Sequence, residues 1–515
     1  MNNQPSLTQA FNHAAERNAS ATAIIDRGKD YSFMALKLAS DKFAVGLKQR
    51  DVSKGDRIAL YCINSVEFAI AYMGIIKAGA VVVPINLLQK ASEISYVINN
   101  AGVSGFIYHD NLQKTVDELK SELKHEMFDI CISQQAERAT QWIDALNNDG
   151  VFNDVLIDAK QDLAAILYTS GTTGRPKGAM LTHQNLMVNT ASVFQAMQWR
   201  AGQDIVCLVL PMFHAFAATV GMLTPLIHGC CFTPVAKFEA SNVSSVIATT
   251  KATVFLGVPS MFNVLLNTKE EKVERFKSLR MCISGGASMP VDVLNQFEEK
   301  FSIAIYEGDG PTECSPVTCV NPIGGVRKVG TVGLPVPNVE MKILDEQGYE
   351  LPLGEIGEIA VRGASVMKGY WGMPEETAAS FHKDWFLTGD LGNEDQDGYF
   401  SILDRKKDMV IVNGMNVYPR IIEEVLYRYE AVLEAAVIGR ADKLHGEIPV
   451  AFVVLKEGWE LESADVRAWC RQHLGSYEVP KKVIFLDSLP KNAAGKIVKR
   501  VLDKQGEIER GIEAK

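Results

Sequence analysis

The chain has 515 residues, 47% of them hydrophobic and 22% charged, which is typical of a folded protein and excludes disordered, collagen-like and coiled-coil chains. At roughly 150 residues per domain, this length predicts about three folded units. The net charge of −10 gives no general attraction to nucleic acid or to an anionic membrane, so a bound polyanion would need a local positive site.

Helical and strand patterns alternate in the first half of the chain. Apolar residues recur at helical spacing in 32–50 and 65–79, whereas 55–62 and 80–86 are short runs rich in strand-forming residues. This alternation predicts an α/β fold with mainly parallel sheets covered by helices. Residues 134–161 are polar and lack a periodic pattern, which predicts an irregular surface connection.

Residues 205–227 form an uncharged stretch that is long enough to cross a bilayer. Pro211, His214 and Pro225 interrupt it, and its beginning, IVCLVL, is rich in strand-forming residues. We therefore expect a buried strand, a turn and a helix, with a membrane span as the alternative. The chain begins without a signal-peptide pattern and its nine cysteines form no CxxC pair, so we expect a cytoplasmic location.

The pattern changes after about residue 320. Short β-rich runs with Gly and Pro predict a β-rich subdomain over about 321–403, at the end of an N-terminal domain 1–403. A charged connection, 404–407, follows. Beyond it, 421–439 predicts a helix and then a strand, and 450–456 another strand, so we expect a small α+β domain over 408–515.

The segment 168–183, YTSGTTGRPKGAMLTH, follows an apolar run typical of a strand. Glycine lets the backbone turn its N–H groups toward a ligand, hydroxyls add donors and one lysine adds positive charge, so the loop suits a polyphosphate. It is not a Walker loop, because Gly178 follows the lysine. A flexible loop without a ligand is the alternative. The candidate residues are Thr169, Ser170, Gly171, Thr172, Thr173, Gly174 and Lys177.

This segment resembles the signature loop of the adenylate-forming superfamily, which contains acyl-CoA synthetases, carrier-protein-loading adenylation domains and luciferases. The resemblance covers nearly the whole chain, and MKGYWGMPEET together with NGMNVYP is most similar to long-chain fatty acid–CoA ligases. Further family blocks follow in the expected order: PMFHAF (211–216), GVPSMF (257–262), SGGASMP (284–290), YEGDGPTECSP (306–316), GEIAVRG (357–363), FLTGD (386–390), DRKKDMVIVNGMNVYP (404–419) and PKNAAGKIVKR (490–500).

The resemblance implies a two-step reaction. A carboxylate attacks the α-phosphate of ATP to give an acyl-adenylate and pyrophosphate, and the thiol of coenzyme A then takes the acyl group. The implied cofactors are ATP, Mg²⁺ and coenzyme A, and the partner is a small fatty acid of medium or long chain. We expect no nucleic-acid partner and no transmembrane segment. Peripheral contact with a membrane is compatible with this reaction, and so is either a monomer or a homodimer. The alternatives are an aryl acid–CoA ligase, a carrier-protein-loading ligase or an inert nucleotide-binding homologue.

The resemblance also assigns phosphate and ribose contacts. Glu313 would bind Mg²⁺, which prefers hard oxygen ligands, and Thr312 would hydrogen-bond the α-phosphate. Asp390 would accept from the ribose hydroxyls, with Arg405 on the ribose or phosphate side. From the residues alone, Glu313 also fits a helix first turn, Asp390 a turn, and Arg405 an ion pair with its neighbours in the sequence, Asp404 or Asp408.

Adenine contacts are assigned to the small-residue segment Gly285, Gly286 and Ala287, for which a tight turn before a helix is the alternative. Relatives usually carry a tyrosine where this chain has Asp309, so aromatic stacking on adenine is not carried over. Tyr306 nearby, or a hydrogen bond from the adenine amino group to Asp309, would replace it.

Lys496 matches the terminal motif whose lysine bridges the substrate carboxylate and the α-phosphate during adenylation, whereas most lysines near a chain end are solvated. The resemblance further implies that the C-terminal domain rotates about Lys407, which withdraws Lys496 and brings in the loop 412–419. There Gly414 and Met415 would contact coenzyme A. From the residues alone, Lys407 is a solvated lysine and Gly414 a hairpin glycine.

His214 is a candidate for gating the acid site or polarising the carboxylate, with a satisfied core residue as the alternative. Residues 205–227 contain no acidic side chain where amino-acid-activating relatives carry an aspartate, so an apolar acyl tail is expected. Ala218 stands where long-chain relatives often have a bulky gate. The candidate pocket walls, with ordinary core packing as the alternative, are Phe213, Phe216, Met222, Val258 and Met261.

Overall fold

The computed structural model describes residues 5–119, 122–133, 140–169, 175–492 and 495–502. In these ranges the helices are, in chain order, α1 (Leu7–Arg17), α2 (Phe33–Lys48), α3 (Val66–Lys77), α4 (Ala91–Ala101), α5 (Gln113–Leu119), α6 (Thr140–Leu146), α7 (His183–Ala196), α8 (Thr224–His228), α9 (Ala240–Thr250), α10 (Pro259–Leu265), α11 (Val291–Phe301), α12 (Pro374–Ala379), α13 (Pro419–Tyr427) and α14 (Ser463–His473).

The strands in the same ranges are β1 (Thr22–Asp26), β2 (Lys29–Ser32), β3 (Arg57–Tyr61), β4 (Val81–Pro84), β5 (Val103–His109), β6 (Phe128–Ile132), β7 (Leu163–Thr169), β8 (Lys177–Thr182), β9 (Ile205–Leu208), β10 (Cys231–Pro234), β11 (Val254–Gly257), β12 (Met281–Ser284), β13 (Ile305–Asp309), β14 (Cys319–Val320), β15 (Leu334–Pro335), β16 (Val339–Leu344), β17 (Gly357–Gly363), β18 (Phe381–His382), β19 (Trp385–Glu394), β20 (Phe400–Arg405), β21 (Val410–Val412), β22 (Met415–Val417), β23 (Val432–Asp442), β24 (Gly446–Leu455) and β25 (Lys482–Phe485).

Two large, mainly parallel sheets build the part of the chain up to Pro335. One has nine strands in the order β15-β14-β13-β12-β11-β9-β10-β1-β2, and the other has six in the order β6-β5-β3-β4-β7-β8. Neighbours at their centres, such as β11 with β12 and β3 with β4, pair in parallel. The predicted α/β fold with helix-covered parallel sheets is confirmed.

Local sequence signals account for the elements of the first half. Helix α3 begins after Ser65, whose hydroxyl accepts from Phe68 N, and the helix is buried along its whole length because nearly every side chain is apolar. The helices and strands expected at 32–50, 55–62, 65–79 and 80–86 correspond to α2, β3, α3 and β4.

The irregular connection expected over 134–161 is wrong in part, because α6 lies within it. The ring of Trp142 packs on Phe43 of α2, with 4.8 Å between centroids, and is buried. This contact with a distant segment stabilises a short helix that the local pattern does not predict.

The uncharged stretch folds as expected into a strand, a turn and a helix. Strand β9 is followed by a turn around Pro211, by a π-helix over Ala217–Leu223 and by α8. The π-helix is buried throughout, which accounts for its apolar composition. Among the described residues, no helix is both apolar enough and long enough to cross a bilayer.

Two smaller, largely antiparallel sheets follow. The first has the order β16-β17-β19-β18, with β20 paired to β19, and the second has the order β22-β21-β24-β23, with β25 paired to β24. The second sheet packs with α13 and α14 around its own apolar core. The expected helix and strands at 421–439 and 450–456 correspond to α13, β23 and β24.

The C-terminal sheet unit contacts residues just beyond the carboxyl end of β11. The hydroxyl of Ser260 donates to Gly495 O at 3.0 Å, and Asn263 Nδ2 donates to Leu433 O at 3.0 Å. The carboxyl ends of parallel strands are where α/β proteins bind ligands, so this contact places the end of the chain over a natural binding edge.

Candidate active site

The loops that follow β9, β11 and β12 meet the chain near Lys496. They enclose a small cavity of about 30 Å³. Five predicted site residues are brought together here from distant parts of the chain. The cavity is lined by Leu210, Pro211, His214, Phe216, Val258, Gly286, Asn492 and Lys496.

Lys496 is held by a turn in which its backbone N donates to Asn492 Oδ1 at 2.9 Å, and Asn492 N donates to Lys496 O at 2.8 Å. The residue keeps solvent exposure, yet it lines the cavity. Burial there and the charge of Arg405 lower the pKa of Lys496, while Asp390 and Asp309 act in the opposite direction. The lysine therefore lines the cavity and is influenced by the charges of both acidic candidates.

Asp390 and Arg405 are directly opposite each other on β19 and β20. Arg405 Nε lies 2.7 Å from Asp390 Oδ1, so Arg405 pairs with this residue rather than with Asp404 or Asp408 as the local sequence suggested. Burial raises the pKa of Asp390 to about 7 although Arg405 opposes the rise. Burial alone would lower the pKa of Arg405, but the carboxylates of Asp390 and Asp309 raise it above its ordinary value.

The proposed adenine side lies at the ends of β12 and β13. Gly285 N donates to Gly257 O at 3.3 Å, and a Cβ at Gly285 would stand 3.3 Å from the Phe216 ring. Gly286 has a φ of +77°, a conformation that favours glycine, and Ala287 follows it. Burial raises the pKa of Asp309, with Arg405 and Lys496 opposing.

Tyr306, the other candidate for the adenine contact, is already in contact with a charged group. The guanidinium of Arg327 lies 5.7 Å from the centroid of its ring. Tyr306 and Asp309 also stand an odd number of positions apart on β13, so their side chains point to opposite faces of the sheet. The two candidates therefore do not face the same side.

Glu313 lies in a short 3₁₀ turn, Thr312–Cys314, that follows β13. Its Oε1 accepts from the hydroxyl of Tyr370 at 2.8 Å, and its backbone O accepts from Met367 N at 2.7 Å. Lys177 Nζ is 5.2 Å from the centroid of the Tyr370 ring, so Glu313 and the lysine of the signature loop meet at this tyrosine. One fixed carboxylate beside a polyphosphate loop fits Mg²⁺, which keeps phosphate and water oxygens as its other ligands.

The centre of the signature loop, with the candidates Ser170, Gly171, Thr172, Thr173 and Gly174, lies outside the described residues. Its two flanks are described. Thr169 at the end of β7 is paired in register with Lys177 at the start of β8, so the loop connects two adjacent antiparallel strands. Of these flanks, Lys177 lies beside Tyr370, whose hydroxyl donates to Glu313.

His214 is half-buried, and burial together with the charge of Lys496 lowers its pKa to about 4. Its Nδ1 accepts from Phe216 N at 3.3 Å, which leaves the proton of the neutral ring on Nε2. Of the candidate pocket walls, Phe216 and Val258 line the cavity. Three others, Phe213, Met222 and Met261, are buried in the continuous apolar core around it.

The candidates for the second step are on the surface. Lys407 is exposed just after β20. Asn413 and Gly414, with φ values of +52° and +81°, form a two-residue turn between β21 and β22, as expected for a hairpin glycine. Met415 beside them is 41% exposed. An exposed hairpin tip is available to contact another molecule or another part of the chain.

Two residues with a role in the site geometry, Tyr370 and Glu307, were missed by the sequence reasoning. Tyr370 was noted only as part of the MKGYWGMPEET block. Glu307 is 3% exposed on β13, and its Oε1 accepts from Met289 N at 2.9 Å, which holds the segment after Gly285–Ala287. A carboxylate in a strand flanked by apolar residues is the signal that points to such a buried acid.

Comparison with known proteins gives consistent matches. Residues 11–371 match the family model of AMP-binding enzymes, and residues 421–496 match the model of the AMP-binding enzyme C-terminal domain. A long-chain-fatty-acid–CoA ligase of Bacillus subtilis (strain 168) is 36% identical over 524 residues, covering 96% of this chain and 94% of that protein.

Solved structures are similar over the whole length. ATP-bound MatB from Rhodopseudomonas palustris has a TM-score of 0.89 and 32% identity, covering 97% of this chain and 99% of that one. The anthranilate CoA ligase AuaEII in complex with anthranoyl-AMP has a TM-score of 0.92 and 25% identity, covering 98% of each chain. The similarity therefore extends over both the large N-terminal part and the C-terminal sheet.

Proposed function

This chain belongs to the AMP-binding enzyme family, and on that premise we propose that it is a fatty acid–CoA ligase for medium- or long-chain acids. It forms an acyl-adenylate from the acid and ATP, releases pyrophosphate, and transfers the acyl group to coenzyme A with release of AMP. The similarity to the Bacillus subtilis ligase supports the substrate class. One observation carries the proposal: Lys496 lines the same cavity as His214 and interacts electrostatically with the ion pair of Asp390 and Arg405.

In the first step a carboxylate oxygen attacks the α-phosphorus of ATP and pyrophosphate leaves. Negative charge builds on the phosphate oxygens, so positive and hydrogen-bonding groups placed in advance stabilise the transition state. Lys496 bridges the acid and the α-phosphate, and Thr312 donates to the α-phosphate. Asp390 accepts from the ribose hydroxyls, and Arg405 holds the Asp390 carboxylate in place.

Glu313 would hold the magnesium ion that accompanies ATP, and Tyr370 fixes the orientation of its carboxylate. Bound there, Mg²⁺ supplies charge neutralisation of the phosphate oxygens. Lys177 would contact the same polyphosphate, and residues 170–174 of the signature loop are further candidates for this contact. Adenine would lie against Gly285, Gly286 and Ala287, with Asp309 as acceptor for its amino group.

The histidine at the proposed binding site of the acid substrate carries no charge. His214 with its low pKa is uncharged at pH 7, and its Nε2–H can donate to the substrate carboxylate. The stretch 205–227 brings no acid to pair a substrate ammonium, which supports an apolar acyl group. An aryl acid is the second candidate, supported by the similarity to the anthranilate CoA ligase.

In the second step the C-terminal domain, 408–515, rotates on the N-terminal domain, 1–403, about the hinge 404–407 with Lys407 as pivot. Lys496 leaves, and Gly414 and Met415 come to contact coenzyme A. The rotation would break the hydrogen bonds from Ser260 and Asn263 to the C-terminal unit. Each bond contributes about 0.5–1.5 kcal/mol, which substrate binding can offset.

The partners are small molecules: the acid, ATP and coenzyme A. We place the reaction in the cytoplasm, which is supported by the nine cysteines, all of them buried thiols, since reduced thiols persist in that compartment.

An acid screen tests the proposed function. The protein is incubated with ATP, Mg²⁺ and coenzyme A and with acids from octanoate to palmitate, or with a panel of aryl acids, and thioester is measured. We expect thioester from the fatty acids. Thioester from aryl acids alone would exclude the fatty acid, turnover only with a holo-carrier protein would exclude coenzyme A, and absence of acid-dependent pyrophosphate exchange would exclude catalysis.

A further inference from the structure

Two asparagines stand one turn apart on α7, the helix that directly follows β8 and its Lys177. Asn185 is 7% exposed and Asn189 is fully buried. We propose that Asn185 and Asn189 are positioning residues for the MgATP half of the reaction, because together they hold the two backbone segments that carry Glu313 and its partners. This inference rests on the proposed function and concerns how the metal-binding carboxylate of Glu313 is kept in place.

Asn189 holds the segment just after Glu313. Its Nδ2 donates to Val317 O at 2.8 Å and to Cys314 O at 3.3 Å. Its Oδ1 accepts from Val317 N at 3.3 Å. The amide thus uses both of its donors and its acceptor on backbone groups of one loop. Because buried carbonyls need partners, the loop carrying Glu313 is fixed relative to α7.

Asn185 holds the segment that supplies the partners of Glu313. Its Nδ2 donates to Ala364 O at 2.8 Å and to Val366 O at 2.9 Å. The residue after Val366 is Met367, whose N donates to Glu313 O, and three residues further on Tyr370 donates to the Glu313 carboxylate. Fixing Ala364 and Val366 therefore fixes both groups that hold Glu313.

The same helix is joined to β8, the strand that begins with Lys177. Asn185 Oδ1 accepts from Thr182 N at 2.8 Å and Thr182 Oγ1 accepts from Asn185 N at 3.1 Å, which caps α7 at its junction with β8. Lys177 begins β8, five residues before that cap. Helix α7 thus fixes the positions of Lys177 and Glu313, which meet at Tyr370, relative to each other.

Asn64 provides a matched control because it has the same chemistry on the acid side. It is buried, its Nδ2 donates to Leu210 O at 2.9 Å and to Val235 O at 3.0 Å, and its Oδ1 accepts from Met212 N at 2.7 Å. It therefore holds the loop that leads to His214, not the Glu313 site. Its loss should disturb acid binding and leave magnesium binding intact.

The first test measures equilibrium binding of ATP by titration calorimetry without any acid, in excess Mg²⁺ and in EDTA. Removing a residue that orients a metal ligand typically weakens metal affinity about tenfold to a hundredfold, so we expect Asn189→Ala and Asn185→Ala to lose that much affinity for MgATP. Affinity for ATP in EDTA should change little. Asn64→Ala should bind MgATP like the wild type.

The second test supplies pre-formed acyl-adenylate and coenzyme A in EDTA, conditions that need no pyrophosphate or metal. Both α7 variants should make thioester within about twofold of the wild-type rate, since positioning of Glu313 is not used in this step. Equal losses of ATP affinity with and without Mg²⁺, or the same loss in Asn64→Ala, would overturn the proposal and leave a purely structural role. Retained MgATP affinity in both α7 variants would overturn it as well.

If an alanine variant fails to fold, Asn189→Asp replaces it, because the carboxylate has nearly the same shape and keeps the acceptor for Val317 N while losing both donors. Wild-type protein in the acid-dependent pyrophosphate exchange assay separates the two proposals. No exchange would refute the proposed function, whereas normal exchange with metal-independent losses in the variants would refute the positioning role alone.

Discussion

Replacing Glu307 with glutamine should change how the folding stability depends on pH. Glu307 is 3% exposed, and within the described part of the chain its Oε2 has no hydrogen-bond partner. Burial raises the pKa of this carboxyl from an ordinary 4.5 to about 7; Arg420 opposes the rise, and Glu424 and Asp309 add to it. Glutamine keeps the acceptor for Met289 N but cannot ionise.

The magnitude follows from the two pKa values. The unfolded chain ionises Glu307 near pH 4.5 and the folded chain only near pH 7, so ionisation favours the unfolded state. The contribution of Glu307 to folding stability is therefore largest below about pH 4.5, where the carboxyl is protonated in both states. This contribution falls as pH rises to about 7 and does not change further at higher pH. The free energy of unfolding of Glu307→Gln, relative to wild type, should therefore increase by roughly 2–3 kcal/mol between about pH 5 and about pH 8.

Urea unfolding of both proteins at a series of pH values measures this difference. Glu355→Gln, at an exposed position, is the control for removing a carboxyl as such. ATP affinity of Glu307→Gln should stay near wild type at pH 8, because the hydrogen bond to Met289 N is kept. A stability difference that does not vary with pH, or that falls as pH rises, would refute burial as the cause of the raised pKa.

Three further predictions concern the reaction and its substrates. Lys496→Ala should lower acid-dependent pyrophosphate exchange about a hundredfold to a thousandfold and leave thiolysis of supplied acyl-adenylate nearly unchanged. Gly414→Leu should do the reverse: thiolysis falls and pyrophosphate exchange is kept. Gly458→Leu is the control for backbone strain, because Gly458 also has a positive φ and open space around it. Equal losses of both steps in Lys496→Ala and Gly414→Leu would contradict two different orientations of the C-terminal domain. ATP binding at pH 7 should release a fraction of a proton per site, because hydrogen bonds from the ribose hydroxyls stabilise the ionised form of Asp390. Titration calorimetry in buffers of different ionisation enthalpy measures this release, and a binding heat that is the same in all buffers would contradict it.

The sequence predicted best those helices and strands whose formation depends on residues close to them in the chain. Periodicity located α2 and α3, and breakers within 205–227 were enough to replace a membrane span by a strand, a turn and a helix. Helix α6 was missed because its stability comes from Trp142 packing on Phe43, about a hundred residues away in the chain.

Partners across the fold could not be predicted from local patterns. The local sequence offered an ion pair with Asp404 or Asp408 only as the alternative to the predicted ATP contact of Arg405, and the register of β19 and β20 instead places Arg405 opposite Asp390. Asn189 reaches Val317 across 128 positions, a contact that no spacing rule reveals. The family resemblance pointed to Glu313 and Lys496 as candidates, yet burial and neighbouring charges, which shift pKa values, are properties of the folded chain.

The most direct measurement follows one oxygen atom. A fatty acid labelled with oxygen-18 in its carboxylate is incubated with the protein, ATP, Mg²⁺ and coenzyme A, and the AMP is recovered and analysed by mass spectrometry. Attack of the carboxylate on the α-phosphorus predicts that each AMP carries one labelled oxygen from the acid. Thioester formed together with unlabelled AMP would contradict an acyl-adenylate intermediate.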